Sequence, residues 1–132
     1  MSGTRSGAIE VLYDANNDLV QVWTYDLTNG WVKHGTDISV TFNSGDQFGA
    51  RAKSNGDVEV YKNGTLLGTR SAASWPYANS GGYIGLWFVD TANALLDDFG
   101  GGNVSGMERL PQNGPSFQFA SYHPPALRLP KR

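Results

Sequence analysis

Cysteine is absent from the 132 residues, which excludes disulfides and thiolate metal centres and leaves the redox compartment open. Charged residues make up only 17% of the chain, and no apolar run approaches the roughly 20 residues of a membrane-spanning helix. Met1 to Gly7 is short and polar, without the apolar core of a secretory signal. A clustered basic face is missing too. Residues 1–106 carry eleven acids against six Lys or Arg, and the surplus of base falls in residues 107–132. Nucleic acid is therefore not an expected partner, and neither is insertion into a membrane.

Acid–base and metal chemistry are equally thin. The glutamates Glu10, Glu59 and Glu108 are solitary, whereas glycoside hydrolysis needs two carboxylates flanking the scissile bond. Asp97 and Asp98 are adjacent, so on a strand they point to opposite faces and make poor partners for each other. The two histidines, His34 and His123, supply neither a triad nor a zinc site, and both read as exposed structural residues. The expectation is a protein that is not an enzyme.

What the chain does have is glycine and aromatic side chains: 17 Gly, 4 Trp, 6 Tyr and 6 Phe. Runs rich in Val, Ile, Tyr and Trp are separated by turn signals, which predicts an all-β chain of about nine strands. The predicted strands are Ala8–Tyr13, Leu19–Tyr25, Trp31–His34, Ile38–Phe42, Phe48–Lys53, Val58–Lys62, Thr65–Ser71, Tyr83–Val89 and Ala94–Phe99. Asn29-Gly30, Asn55-Gly56 and Asn63-Gly64 mark the turns, because both residues accept positive φ at low cost. Val20, Val22 and Thr24 alternate with Leu19, Gln21, Trp23 and Tyr25, so one set faces a core. Tyr83–Val89 is the most apolar run and reads as a strand buried on both faces, with Trp87 in the core.

The residues from Gly45 onward also carry a likeness. Gly45-Asp46, Val58 to Tyr61 with the turn Lys62-Asn63-Gly64, Gly82 to Leu86, and Leu96 to Gly101 resemble the C-terminal half of a laminin G-like jelly roll of the concanavalin A-like lectin and glucanase superfamily. The resemblance spans about residues 7–104 and implies an antiparallel β-sandwich over residues 1–106. Members of that family carry further strands ahead of the one starting near Ala8. The sandwich is therefore expected to be partial, and to be completed by self-association or by another chain. Extracellular or cell-surface placement is implied by the resemblance alone.

Residues 107–132 form a Pro-rich tail, read as disordered or loosely docked. Within it, Ser116–Tyr122 alternates aromatic and polar residues and is a candidate edge strand that replaces a missing one from within.

Candidate site residues follow from side-chain chemistry. Trp75, Tyr77 and Asn79 share a loop where indole and phenol faces can stack on a sugar ring while the amide binds hydroxyls. The competing reading is a loop folded over the sandwich edge. Trp31, with Trp23 and Tyr25 around the Asp26–Gly30 hairpin, is a second platform or part of the core. Asp90, Asn93, Asp97 and Asp98 place four side-chain oxygens within nine positions, a candidate Ca²⁺ site of the sort related sandwiches hold near strand ends. The alternative is strand capping on Gly100–Gly102.

The expected function is a non-catalytic carbohydrate-binding or adhesion module that takes a polysaccharide or glycan. The alternative is a structural or assembly protein, such as a filament, virion or surface component.

Overall fold

A computed structural model describes residues 7–80, 82–88, 99–103 and 117–118. All its regular elements are strands, arranged in two antiparallel sheets.

The first sheet joins β1 (Gly7–Asp14), β2 (Leu19–Asp26) and β3 (Gly30–Lys33) in that order, with β4 (Ile38–Ser39) also pairing with β2. Its hairpins are closed by aspartates. Asp14 Oδ1 accepts from the amides of Asn16 and Asn17, at 2.9 and 3.2 Å, across the β1–β2 turn. Asp26 Oδ1 does the same for Thr28 and Asn29 across the β2–β3 turn, at 2.9 and 2.7 Å. Such Asx turns satisfy amides that the ladder cannot reach.

The second sheet contains β5 (Phe48–Ala52), β6 (Asp57–Lys62) and β7 (Thr65–Ser71). Lys62 pairs with Thr65 across a two-residue turn, and Asn63 and Gly64 take φ of 51° and 77°. Two successive positive φ values define the tight turn that matches strand twist. On the other side of β5 lie β9 (Phe117–Gln118) and then β8 (Gly102–Asn103). Part of the predicted Ser116–Tyr122 strand thus does pair with the body, in antiparallel register with Arg51 and Ala52. It is flanked on both sides, so it is not the edge strand the alternation suggests. The rest of residues 107–132 lies outside the described residues.

One core lies between the sheets. β2 alternates strictly, with Val20, Val22, Thr24 and Asp26 buried and the residues between them half-buried. Val20, Val22 and Ile38 meet Val58 and Val60 of the second sheet, with Phe42 and Ala72 from the connections. At its margin Phe42 stands edge-on to Tyr13 and Phe48, with ring centroids 4.8 and 5.0 Å away, a favoured aromatic geometry.

Three expectations need correction. Tyr83–Val89 is not a buried strand where described: Gly82–Phe88 carries no strand pairing, and Leu86, Trp87 and Phe88 are exposed. Trp87 is therefore not core; it is 66% exposed. The run has the composition of a strand, but a strand needs a neighbour, and no described residue supplies one. His34 is not exposed either, being 8% accessible with Nε2 placed 2.7 Å from Thr24 Oγ1. Burial of both groups is tolerated because each satisfies the other. Of the predicted strand Ala94–Phe99 only Phe99 is described, and it is exposed.

Candidate functional site: the outer aromatic face of the first sheet

Alternation on β2 sends Gln21, Trp23 and Tyr25 to the face opposite the core. Register adds their neighbours. Trp31 lies opposite Tyr25 and Lys33 opposite Trp23 on β3, while Ala8 and Glu10 stand opposite Tyr25 and Trp23 on β1. Directly opposed residues share a face, so this side of the sheet carries three aromatic side chains with Glu10, Gln21 and Lys33 among them.

The aromatic row is continuous. The Tyr25 and Trp31 ring centroids are 5.3 Å apart, and Trp87 continues the row 6.5 Å beyond Trp31. Trp31 is 44% exposed, and Tyr25 below it is half-buried. Trp31, exposed on a paired strand, presents flat apolar surface at a height fixed by the sheet, since sheet side chains stand nearly perpendicular to it.

Polar groups border the row and hold one another. The Trp23 indole N–H donates to Gln21 Oε1 at 3.0 Å, and Gln21 Nε2 donates to Asp37 Oδ1 at 3.1 Å. Asp37 also pairs with Lys33, whose hydrogen bond holds its carboxyl below the usual range. Glu10 differs. No donor reaches its carboxylate among the described residues, and burial pushes its pKa up. Half-buried beside the aromatic row, this carboxylate is an acceptor that a ligand hydroxyl can reach.

Trp75 and Tyr77 lie on the other side of the sheet, packed on Gly7, which stands opposite the core-facing Asp26. The Trp75 indole N–H donates 2.8 Å to the main-chain carbonyl of Tyr25, and its ring stands edge-on to Tyr77 at 5.4 Å. Both rings close over Gly7. A Cβ there would lie 2.5 Å from Tyr77 Cδ2 and 2.7 Å from Trp75 Cζ2, so the loop needs a bare backbone beneath it. Asn79 is exposed, and the loop is tied internally by the Ala78 and Ser80 amides on the carbonyls of Trp75 and Tyr77. Trp75 and Tyr77 are thus half-buried on the core side of the sheet's end, while Trp31 stands on the outer face. Residue-type reasoning missed Glu10 and Trp87; Glu10 was legible only as a lone carboxylate, and Trp87 was masked by its apolar neighbours.

The candidate calcium ligands Asp90, Asn93, Asp97 and Asp98 lie outside the described residues, as does His123. Among the described residues no group of three or more His, Asp or Glu is placed to hold a metal ion. No family model, no curated protein and no solved structure matches this chain.

Proposed function

We propose that the protein is a non-catalytic glycan-binding module that stacks sugar rings on the outer face of its first sheet. The observation that carries the reading is the Tyr25–Trp31–Trp87 row, with two tryptophans exposed at its end. Sugar rings offer an apolar face of axial C–H groups and a rim of hydroxyls. Indole rings match the first, and a bordering carboxylate, amide and ammonium match the second. Kinship with laminin G-like and concanavalin A-like jelly rolls belongs to the same proposal, as does an extracellular or surface setting.

Support for a non-catalytic reading comes from how the two described glutamates are held. Glu59 lies on the second sheet, away from Glu10. Burial raises its pKa, but hydrogen bonds from Tyr61 and Lys53 and the charges of Lys53 and Arg51 outweigh burial and leave it low. A carboxylate so engaged is a poor proton donor at neutral pH.

The test is a titration of polysaccharides from plant, algal and microbial sources, read by tryptophan fluorescence and by retardation in polysaccharide gels. A positive result is saturable binding that Trp31→Ala weakens by at least about tenfold, roughly 1.4 kcal/mol, without loss of cooperative unfolding. No binding across the panel, or unchanged binding in Trp31→Ala, would sink the proposal.

A second reading, assembly through strand contacts, is favoured by the exposed Gly82–Phe88 run.

A further inference from the structure

The aromatic row crosses the strands instead of following one. Trp31 on β3 stands opposite Tyr25 on β2, and Tyr25 stands opposite Ala8 on β1, with Trp87 beyond Trp31 at the far end. Three rings therefore end at a methyl group, and the floor of the face drops beside Tyr25. Glu10 lies two positions on from Ala8, on the same side of β1, so its carboxylate flanks that step. Glu10 and Tyr25 are diagonal neighbours on adjoining strands, near enough for one ligand ring to touch both.

Charge is spread unevenly along the row. Towards β3, Asp37 is answered by Lys33, and the charge of Arg70 acts on it as well. The Trp23 N–H and the Gln21 amide are engaged in the same chain of contacts, at 3.0 and 3.1 Å. Towards β1, Glu10 stands alone. Among the described residues neither a donor nor a cation is paired with it, and its titration is shifted by burial.

An unanswered carboxylate beside aromatic faces favours a cation. The ring faces carry partial negative charge, and the carboxylate adds a whole one. A sugar hydroxyl fills an acceptor position on Glu10 but leaves its charge in place. An ammonium group does both, donating a hydrogen bond and cancelling the charge. A carboxylated or sulfated sugar instead brings like charge to the step beside Tyr25.

We propose that the Ala8–Glu10 end of the row is a subsite for an amino sugar, so that the protein selects glycans with free amino groups over their N-acetylated and anionic counterparts. This inference rests on the glycan-binding reading of the same face. The sugar ring stacks on Tyr25 with its edge over Ala8, and its ammonium donates to a carboxylate oxygen of Glu10. Trp31 and Trp87 take the next rings of the chain and serve all glycans alike. Affinity then comes from the row, and selection from Glu10.

The experiment compares glucosamine oligomers with N-acetylglucosamine oligomers of equal length and with galacturonic acid oligomers. Binding is read by titration calorimetry at low salt, at a pH where the sugar amine is protonated. The amino oligomer should bind at least about tenfold more tightly than the N-acetylated one, and the galacturonic acid oligomer most weakly. High salt should narrow these differences, because the subsite borders solvent. Glu10→Gln should bring the amino and N-acetylated affinities to within about twofold of each other. Ala8→Lys supplies a cation from β1 itself and should do the same while sparing Glu10. Trp31→Ala should weaken both oligomers by the same factor. Circular dichroism establishes that each variant is folded. Equal affinities in the wild type, or an amino preference that survives in either folded β1 variant, overturns the subsite. Binding to glycans without an amino preference overturns the subsite alone, whereas no binding to any glycan overturns the glycan reading with it.

Discussion

The indole N–H of Trp75 donates to the main-chain carbonyl of Tyr25 over 2.8 Å, across 50 positions of sequence. This bond ties the Trp75–Tyr77 loop to the end of β2 and fixes the strand that presents Tyr25 to the outer face. Trp75→Phe keeps an aromatic ring, smaller than the indole, and removes the donor. The expected loss is about 1 kcal/mol in urea unfolding. Trp75→Ala also removes half-buried aromatic surface and should cost about 2–3 kcal/mol. Sugar affinity in Trp75→Phe should stay within about twofold if the residue supports the face without touching the ligand.

Gly7 makes the same argument from below. Gly7→Val places a branched side chain where the Tyr77 and Trp75 rings already lie. Those rings are rigid and joined edge-on, so the loop must lift as a unit. The expected result is about 1–3 kcal/mol of destabilisation and a red-shifted Trp emission, read by equilibrium unfolding and steady-state fluorescence.

The buried Thr24–His34 pair predicts a stability defect with no binding phenotype. Thr24→Val conserves shape on the core face but leaves His34 Nε2 without its 2.7 Å partner. Stability should fall by about 1–3 kcal/mol, the cost of an orphaned buried polar group. Unchanged stability in urea unfolding would mean that the hydroxyl contributes nothing to the fold.

Local signals made much of this fold legible. The strict alternation of Leu19–Asp26 is what a sheet covered on one side produces, and Asn63-Gly64 encodes its own turn. What sequence could not supply was the identity of distant neighbours. His34 reads as exposed until Thr24 is brought against it from the adjoining strand. Trp75 reads equally as a sugar contact or as cover for the sandwich edge, and its packing on Gly7 and its bond to the Tyr25 carbonyl come only with the fold. Tyr83–Val89 reads as a strand buried on both faces because composition reports readiness to pair, not the presence of a partner. Of the candidate face, Trp23, Tyr25 and Trp31 were visible around their hairpin, whereas Trp87 and Glu10 joined them only through tertiary placement.

Asp46 sets one acid limit of the fold. It accepts from the Asn43 amide at 2.8 Å, from Asn63 Nδ2 at 2.7 Å and from Lys62 Nζ at 3.0 Å. Together, with the Asn43 amide foremost, these hold its pKa at about 2, below the ordinary 3.8. A folded-state pKa below the unfolded one means stability present above about 3.8 and lost as pH falls through about 2. Asp46→Asn should therefore flatten the dependence of the unfolding midpoint on pH between these limits. An unaltered slope would show that the carboxylate does not anchor the β5–β6 end.

Glu10 shifts the other way and joins stability to binding. Burial raises its pKa above 4.5, so folding favours the protonated form. The sign follows from linkage: the stability linked to this group is fully present below about 4.5 and is lost as pH rises through the higher folded value. Glu10→Gln removes that loss, so the variant should be more stable than wild type at neutral pH and should lose its advantage in acid. If the carboxylate accepts a sugar hydroxyl, the same variant should bind glycan about tenfold more weakly, since a charged acceptor contributes about 1.5 kcal/mol or more. Greater stability with weaker binding would show a residue kept at the expense of the fold for its ligand. Greater stability with unchanged binding would remove Glu10 from the site and leave the aromatic row to act alone.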